Sequence, residues 1–439
     1  MTEGRGVTFA HGFRAGAAKA GVKHGRPERL DVALIVSERP CTAAAVFTTN
    51  QVIAAPCVVT RRHVERGPLR AIVVNSGNAN ACTGEQGERD AIAMAEAAAA
   101  VVECSPYEVA VASTGVIGFK LPIERIAAVL PEIELTEAGW DDTSRAMMTT
   151  DTRPKVTERE MHLSAGTVRI GGVAKGAGMI HPNMATLLAF VTTDTRPKVA
   201  EREMHLSAGT VRIGGVAKGA GMIHPNMATL LAFVTTDAAV DEGDLRRIVS
   251  HVADTTFNAI SIDGDTSTND TLLVLANGHS GVAPKGADLA LFEEGLHTVC
   301  ADLARMIVAD GEGATKVFEV RVRGAASAAD ARLAARTITN SNLVRTAIHG
   351  GDPNWGRVLA AAGRSGARVD DRRASVRIGD LFVYRNGAPL EVADADVRAL
   401  FAANEIEIEV TLGLGDGQAV AWGCDLSAEY VRINAEYMT

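Results

Sequence analysis

The chain of 439 residues is 47% hydrophobic and 22% charged, proportions that exclude a disordered protein and are typical of a large globular one. Its formal net charge of −9 comes without a basic block, and its aromatic content is only 4%. The phosphate-binding and base-stacking residues of a nucleic-acid binder are therefore scarce. We expect a small polar substrate and no nucleic acid among its partners.

The first half of the chain alternates strand and helix patterns. Apolar runs at 71–75 and 108–113 predict buried strands, and the alanine-rich stretch 88–103 predicts a helix. A second helix is predicted at 122–130, where a proline opens the first turn. This alternation favours the α/β or α+β class.

The second half continues the mixture of helices and strands. Apolar residues at helical spacing in 241–257 and 287–308 flank a short apolar run at 271–276, which predicts a strand. Period-two alternation at 317–322 and 405–411 predicts half-buried strands. Mixed sheets covered by helices are the packing that this order of elements favours.

The sequence shows no signature of secretion or of a membrane. The first residues, MTEGRGVTFAHGF, lack the basic-then-apolar pattern of a signal peptide, and no run reaches about 18 apolar residues. The six cysteines form no CxxC pair, a distribution typical of reduced thiols in a cytosolic protein. We expect a cytoplasmic protein that does not associate with a membrane.

The sequence also argues against a metal or a bound cofactor. It contains no GxxxxGK[ST], HExxH or GxSxG motif, and its histidines are dispersed. The loop 263–271 resembles a calcium loop, but Thr268 and Val274 stand where an EF-hand needs glycine and glutamate. We predict a hydrogen-bonded turn near the active cleft there, no metal and no cofactor.

A repeat occupies the middle of the chain. Residues 149–191 recur at 192–234, and only Thr157 and Ala200 differ between the two copies. Solenoids need about three or more units with atypical ends. The pair therefore indicates a tandem duplication or an error in assembling the sequence, and one copy is an extra segment.

Each copy contains the segment KGAGMIHPNMATLLAF, at 175–190 and 218–233. A threonine hydroxyl is a weak nucleophile, and one known solution activates it with the threonine's own α-amine. That amine exists only after the chain is cut before the threonine, and its reference pKa of about 7.7–8.0 leaves a substantial neutral fraction near neutral pH. These residues alone also fit a buried strand that begins after a turn, which is the commoner arrangement.

Eight segments together resemble one enzyme family. In chain order they are NACTG, ASTGVIG, MTTDTRPK, KGAGMIHPNMATLLAF, SIDGDTSTND, DGEGATK, HGGDPNWGRV and the C-terminal GCDLSAEYVRINAEYMT. In composition and order they are similar to the bacterial ornithine acetyltransferase (glutamate N-acetyltransferase) family of arginine biosynthesis. The match runs nearly end to end.

The resemblance implies a fold like that of N-terminal nucleophile hydrolases, with layered mixed sheets flanked by helices, and a precursor that cuts itself at Ala-Thr. It implies an α chain of residues 1–228, including the extra copy 149–191, a β chain of residues 229–439, and an α2β2 assembly. The implied reaction moves acetyl from N2-acetylornithine to glutamate through an acetyl-threonine ester. Some members also accept acetyl-CoA, which leaves it open as a second donor.

The family's site residues map onto this sequence through the motifs. The cleavage pair, whose threonine is the nucleophile, falls on Ala228 and Thr229, or in the first copy on Ala185 and Thr186. The oxyanion-hole pair falls on Thr114 and Gly115. The substrate contacts are Thr192 (or Thr149), Lys218 (or Lys175), Thr229, Glu312, Asn434 and Thr439. In such a site a cation would hold the substrate's α-carboxylate and a carboxylate its ammonium group.

Other polar residues of these motifs receive no role from the resemblance. They are Asn75, Asn78, Asn80, Asp352, Asn354, Trp355, Arg357 and Asp416. Loop residues of this kind either satisfy the loop backbone or brace a site.

Only one of the two Ala-Thr bonds fits a single active site. We favour Thr229, because LLAFVTTDAAV then continues directly into the β chain, with Lys218 eleven residues upstream in the same copy. The first copy would then bulge from the α chain. Use of Thr186 with the second copy looped out, and mixed sites that combine residues of both copies, stay open.

Two other functions also stay open. A duplication that blocks cleavage would leave an amino-acid-binding protein without turnover. A self-cleaving amidohydrolase or aminopeptidase of similar fold would be expected to carry serine at the cut site, whereas both copies carry threonine.

Overall fold

The computed structural model describes ten ranges of the chain, and its elements form two mixed β-sheets with helices packed on and between them. The described residues are 5–22, 28–149, 151–152, 154–164, 166–175, 184–187, 193–194, 202–206, 209–215 and 230–436.

The described strands carry the labels used below. In chain order they are β1 (Phe13–Ala18), β2 (Val32–Thr48), β3 (Leu69–Asn78), β4 (Val109–Val116), β5 (Asp151–Thr152), β6 (Lys155–Leu163), β7 (Gly166–Lys175), β8 (Met184–Leu187), β9 (Thr193–Asp194), β10 (Arg202–Leu206), β11 (Gly209–Gly215), β12 (Leu231–Thr236), β13 (Ile260–Ser261), β14 (Thr271–Ala276), β15 (Val317–Ala325), β16 (Ser375–Ile378), β17 (Leu381–Arg385), β18 (Ala388–Pro389), β19 (Glu405–Thr411) and β20 (Gly417–Cys424).

The larger sheet has the strand order β10-β11-β6-β7-β12-β14-β2-β3-β4, and β1 and β8 also pair with β2. The smaller sheet has the order β13-β20-β15-β19-β16-β17-β18, and β5 and β9 form a separate parallel pair. In the larger sheet β12 is parallel to β14 and antiparallel to β7.

The helices cover both sheets. In chain order they are α1 (Ala55–Arg66), α2 (Gly84–Val102), α3 (Ile123–Val129), α4 (Trp140–Ala146), α5 (Glu242–Thr255), α6 (Ala287–Ala309), α7 (Ala328–Thr339), α8 (Asn342–Gly350), α9 (Trp355–Gly363), α10 (Asp394–Phe401) and α11 (Ala428–Glu436).

Strand β12 lies deep in the larger sheet because both of its faces are apolar. Ala232 and Val234 face the core that contains α5 and α6, whereas Leu231 and Phe233 face the core on the other side. A strand buried on both faces reads as a continuous apolar run. Burial of each large side chain stabilises the fold by about 1.5–3 kcal/mol, so the position of this strand is strongly determined.

Helix α5 shows how local sequence produces the packing on this sheet. Asp241 caps its first turn by accepting a hydrogen bond from Gly243 N at 2.9 Å. Leu245, Ile248 and Val252 recur at helical spacing and are buried. The same core also contains α6 and the β20 residues Trp422 and Cys424, so α6 lies between the two sheets.

The two copies of the repeat pair with β12 at the same register. Thr235 is opposite Gly171 of β7 and also opposite Gly214 of β11, the equivalent residue of the second copy. β7 pairs with β12 along all six of its residues, whereas β11 pairs with β12 only at Gly214 and Gly215 and with β6 from Thr210 to Gly215. The expectation that the first copy bulges from the α chain is wrong for its hairpin, because β7 pairs with β12 along the whole of β12.

The mixed α/β class, with helices flanking mixed sheets, is confirmed. Strands β14 and β19 have the predicted bounds. Helix α2 begins at Gly84, earlier than predicted, and Pro122 is not in the first turn of α3 but precedes it as the N-cap, with ψ of 65°. Within the described part of the chain, no helix combines the length and apolar character that a membrane span requires.

Candidate active site

The predicted oxyanion pair, Thr114 and Gly115, lies at the carboxyl end of β4. Gly115 pairs with Gly77 of the parallel strand β3 and has φ of 136°, a conformation that favours glycine. A Cβ atom at this position would collide with the Gly77 carbonyl carbon and the Asn78 nitrogen. Thr114 is buried. Because Gly115 and Gly77 have no side chains, the two strands can end in a tight turn here.

The loop before β14 connects this turn to the strand that follows the predicted nucleophile. Asn269 Nδ2 donates to Ser113 O at 2.8 Å and to Ala79 O at 2.7 Å. The next residue, Asp270, accepts a hydrogen bond on Oδ1 from Leu230 N at 2.7 Å. Two consecutive side chains therefore hold the turn at Thr114 and Gly115 close to Leu230. The loop is hydrogen-bonded as predicted, and its place beside the active cleft stays a prediction.

Lys175 and Thr149, both from the first copy, meet beside β12. Lys175 is opposite Leu231 in the register of β7 and β12, and its Nζ donates to Thr149 Oγ1 at 2.6 Å. Its side chain is buried. Burial lowers the pKa of Lys175 well below its ordinary value, and the nearby Glu312 carboxylate opposes this shift. The sheet thus brings the predicted lysine, threonine and glutamate together.

Glu312 lies in the loop between α6 and β15. It is largely buried and accepts a hydrogen bond from Asn434 Nδ2 at 2.9 Å. Asn434 belongs to α11 and also donates to Tyr430 O at 3.0 Å. The predicted contacts Glu312 and Asn434 are therefore adjacent, and they approach Lys175 from the smaller sheet.

Sequence reasoning missed Asp425, which anchors the loop that carries Glu312. Its carboxylate accepts from Thr315 N at 2.7 Å, Thr315 Oγ1 at 2.6 Å, Lys316 N at 2.9 Å and His349 Nδ1 at 2.6 Å. Burial raises the pKa of Asp425, but these hydrogen bonds outweigh burial and hold the pKa below its ordinary value. The only feature of the sequence that could have pointed to Asp425 was its place in the motif GCDLSAEY.

Sequence reasoning also missed the pairing of Asp263 with Tyr430. The Tyr430 hydroxyl is 3.4 Å from Asp263 Oδ2. Burial raises the pKa of Asp263 well above its ordinary value, the Asp265 backbone N–H opposes this, and the Glu312 charge adds to it. The Asp263 carboxyl group therefore lies near Glu312, the carboxylate that is predicted to contact the substrate.

The loop asparagines brace the backbone. Asn75 Nδ2 donates to Asn78 O at 2.9 Å, Asn78 Nδ2 to Phe119 O at 3.2 Å, and Asn80 Nδ2 to Gly87 O at 2.8 Å. These bonds explain all three residues as supports of the turn at the ends of β3 and β4.

Residues of the motif HGGDPNWGRV cap helix α9 and contact the smaller sheet. Asn354 caps α9 by accepting from Arg357 N at 3.1 Å, and the Trp355 ring stacks on Tyr384 at 4.7 Å. Asp416 lies exposed in the loop between β19 and β20. These contacts stabilise the fold of that sheet.

Of the remaining predicted site residues, two lie in a described strand and five lie outside the described ranges. Ala185 and Thr186 belong to β8, which pairs with β2. Outside the described residues lie Ala228, Thr229, Thr192, Lys218 and Thr439. Across the described ranges, no three histidine, cysteine or acidic side chains cluster as a metal site would require.

A cavity of about 390 Å³ lies between α6 and the smaller sheet. Glu319 in its wall accepts from Trp422 Nε1 at 2.8 Å and lies 3.4 Å from Arg305 Nη2, so this carboxylate already has partners in the wall. No predicted site residue from the described ranges lines it. The candidate active site is therefore the cluster around Lys175 and Glu312.

Comparison with known proteins identifies the family. The model of the ArgJ family matches residues 14–196 and 189–439, two segments that overlap at the junction of the repeat copies. The arginine biosynthesis bifunctional protein ArgJ of Symbiobacterium thermophilum is 46% identical over 99% of this chain and 98% of its own. The protein of the same name from Thermus thermophilus is 45% identical over 99% of this chain and 100% of its own. The chain belongs to the ArgJ family.

Two crystal structures of related proteins match parts of this ArgJ-family chain. The arginine biosynthesis bifunctional protein argJ of Bacillus halodurans is 44% identical and covers 47% of this chain and 98% of its own, with a TM-score of 0.46. An ornithine acetyltransferase of Mycobacterium tuberculosis, complexed with ornithine, is 42% identical and covers 41% of this chain and 96% of its own, with a TM-score of 0.37. The ArgJ-family chain is an acyltransferase of arginine biosynthesis, as the motifs predicted.

Proposed function

We propose that the chain is a self-cleaving glutamate N-acetyltransferase, which moves acetyl from N2-acetylornithine to glutamate through an ester on Thr229. The meeting of Lys175, Thr149 and Glu312 beside β12 carries the proposal, because β12 begins two residues after Thr229. Family membership and a relative solved with ornithine support an amino-acid substrate.

The buried charges suit the two ends of an amino acid. The Lys175 ammonium can hold a substrate carboxylate, and the Glu312 carboxylate can hold an ammonium group, because charge-assisted hydrogen bonds are strong where water is excluded. Asn434 orients Glu312 through its 2.9 Å bond. In this proposal the chain's own side chains hold both ends of the substrate.

The chemistry proceeds in two acetyl transfers after cleavage between Ala228 and Thr229. The new α-amine of Thr229 takes the hydroxyl proton while Oγ attacks the acetyl carbonyl of N2-acetylornithine, and ornithine leaves with that proton. Glutamate then attacks the ester by the reverse path. Thr114 and Gly115 stabilise the oxyanion in both steps, a contribution of about 3–4 kcal/mol per donor in comparable enzymes.

We infer a mixed site with respect to the repeat: Thr149 and Lys175 come from the first copy, and Thr229 comes from the second. Two observations support this assignment. Lys175 is in register with Leu231, and Asp270 holds Leu230. The mature protein then consists of an α chain of residues 1–228 and a β chain of residues 229–439, assembled as α2β2, and acetyl-CoA is proposed as a second donor.

The experiment compares Lys175→Ala with Lys218→Ala in acetyl exchange between N2-acetylornithine and glutamate. Truncating one partner of a buried charge pair typically costs 2–5 kcal/mol, so Lys175→Ala should lower kcat/KM by about 100-fold or more. Lys218→Ala is the matched control, and we expect it to retain activity within about threefold.

The outcomes separate the function from the choice of copy. Loss of activity in Lys218→Ala alone would contradict the mixed site and leave the function intact. A wild-type protein that binds ornithine or glutamate without exchange would contradict the function. Acetate release without glutamate would indicate an amidohydrolase instead.

A further inference from the structure

Asp263 and Glu312 lie side by side against one face of α11. The Tyr430 hydroxyl donates to Asp263 Oδ2 at 3.4 Å, and Asn434 Nδ2 donates to Glu312 Oε2 at 2.9 Å. Tyr430 and Asn434 are four residues apart in the same helix, so their side chains are neighbours on its surface, with Cβ atoms about 5–6 Å apart. The two carboxyl groups that they contact are therefore adjacent.

The start of α11 packs directly on the loop that carries Glu312. Ser427 Oγ donates to Gly313 O at 2.6 Å. A Cβ atom at Gly313, whose φ is 68°, would lie only 2.5 Å from Tyr430 N. This close packing fixes the helix face relative to Glu312. The Asp263 side chain is only partly buried, so a ligand can reach its carboxyl group.

The groups around Asp263 act on its charge in opposite directions. Burial raises the pKa of Asp263 well above its ordinary value, and the Glu312 charge adds to this shift, whereas the Asp265 backbone N–H and the Arg345 guanidinium oppose it. The Tyr430 hydroxyl stays neutral, because burial raises its pKa. Titratable or charged groups that face Asp263 come from its own loop, the loop before β15, α8, β20 and α11: Asp265, Glu312, Arg345, Cys424 and Tyr430.

Glu312 holds its charge more firmly than Asp263 does. Asn434 donates a hydrogen bond to the Glu312 carboxylate, and the Lys175 ammonium group is close to it. Both contacts stabilise the ionised form. When two adjacent carboxyl groups share one site, one of them takes up a proton more readily than the other. In this pair that group is Asp263.

The proposed reaction brings side chains of opposite charge to the same site. N2-acetylornithine ends in a δ-ammonium group and glutamate in a γ-carboxylate, whereas both have an α-carboxylate. When Lys175 holds the α-carboxylate, the side chain can extend towards Glu312, whose charge acts on both Lys175 and Asp263. Two carboxylates attract an ammonium group, but they repel a third carboxylate unless one of them is neutral and donates a hydrogen bond.

We propose that Asp263 is a further specificity-determining residue, which lines the side-chain end of the site together with Glu312 and changes its protonation with the substrate. This inference rests on the proposed function. With ornithine bound, Asp263 is ionised, and both carboxylates attract the δ-ammonium group. With glutamate bound, Asp263 holds one proton taken from solvent water and donates it in a hydrogen bond to the γ-carboxylate. One pocket thereby accepts both side chains in successive half-reactions.

The test titrates the wild-type protein with ornithine and with glutamate by calorimetry, in two buffers of different ionisation enthalpy. Neither ligand carries an acetyl group, so no transfer occurs, and the two ligands differ only in their side chains. Glutamate should bind with about one proton more than ornithine does. By linkage, the ratio of their Kd values should then change by up to about tenfold per pH unit, in favour of ornithine as pH rises.

Asp263→Asn should abolish this difference, because an amide does not titrate. It should weaken ornithine binding by about tenfold or more, since a hydrogen bond to a charged group is lost, and should change glutamate binding by less than about threefold. Asp265→Asn is the matched control. Asp265 is exposed in the same loop, and its backbone N–H, 3.3 Å from Asp263 Oδ1, is retained, so we expect the wild-type difference.

Two results would overturn the inference: equal proton numbers for both ligands in the wild type, or a one-proton difference that persists in Asp263→Asn. The first needs no variant, and the Tm of each variant checks its fold. Acetyl exchange by the same wild-type preparation tests the proposed function separately. Exchange without a proton difference would contradict the role of Asp263 alone, whereas absence of exchange would contradict the proposed function.

Discussion

Because Gly115 has no side chain, β3 and β4 can end in the tight turn that we propose as the oxyanion hole. The Gly115 φ of 136° and its contact with Gly77 leave no room for a Cβ atom. The ends of β3 and β4 can therefore approach each other closely. Thr114 and Gly115 lie next to each other at the end of β4. The same turn is braced by asparagine side chains, so its geometry exists before substrate binds, which is what electrostatic stabilisation of a transition state requires.

Gly115→Ala should therefore lower kcat by about 100-fold or more, because the turn must open to accept the methyl group. Gly118→Ala is a matched control, since Gly118 also has positive φ, 86°, but an added Cβ meets nothing within 4 Å. Steady-state kinetics of both variants check the prediction. Equal losses in the two variants would contradict it, because backbone strain alone would then explain them.

At the same scale, the sequence identified Lys175, Thr149, Glu312 and Asn434 as candidates only through motifs. Their residue types are common on surfaces, and nothing local indicated that Lys175 is buried. Asp270 and Asp425 were missed because their roles depend on partners far apart in sequence, such as Leu230 and His349. Which side chains are buried, and which residues far apart in sequence they contact, is determined only when the sheets assemble. The sequence alone therefore does not show these roles.

The loop between α6 and β15 carries Glu312, which we propose as a substrate contact. Asp425 ties this loop to the end of β20 through four hydrogen bonds, from Thr315 N, Thr315 Oγ1, Lys316 N and His349 Nδ1. Glu312 has no regular element of its own to hold it. Its position therefore depends on the anchor as much as on its own contacts.

Asp425→Ala should reduce the free energy of unfolding by about 2–4 kcal/mol, because it leaves several buried donors unpaired, and should raise KM more than it lowers kcat. Denaturant unfolding and steady-state kinetics measure both effects. Asp425→Asn, which keeps an acceptor oxygen, should lie between the wild type and Asp425→Ala. An unchanged KM in the alanine variant would show that the loop holds Glu312 without this anchor.

The pH dependence of stability follows from the same group. The pKa of Asp425 is lower in the folded chain than its ordinary value, so the unfolded state binds the proton more tightly. Its contribution is fully present above the unfolded pKa of about 3.9 and is lost as pH falls through the folded pKa. The free energy of unfolding should therefore fall less steeply in acid for Asp425→Asn than for the wild type, and parallel curves would contradict this.

The regular elements themselves were largely predictable. Strands β14 and β19 have the predicted bounds because their apolar patterns are local. The partner of β12 was not predictable, since the two copies have the same pattern and differ only at Thr157 and Ala200. Either copy could pair with β12 by its sequence, so only the folded sheet shows how each copy pairs.

For the whole molecule, the repeat supplies two nearly identical hairpins, and both pair within the larger sheet. Deleting 149–191 or 192–234 gives chains that differ only in carrying alanine or threonine at one position. We expect both deletions to fold, cleave and exchange acetyl within about tenfold of the full chain, because the retained copy supplies the same strands and loop length changes stability only slowly. Inactivity of both deletions beside an active full chain would show that the extra copy is an essential part of the site.

We propose that Thr229 becomes an N-terminal residue and carries the acetyl group. Intact mass spectrometry and peptide mapping of the wild-type protein, quenched during incubation with N2-acetylornithine, test it directly. We expect a chain that begins at Thr229 and carries one acetyl group, which glutamate removes as N-acetylglutamate. An acetylated chain that begins at Thr186, or an uncut chain without an acetyl group, would contradict it.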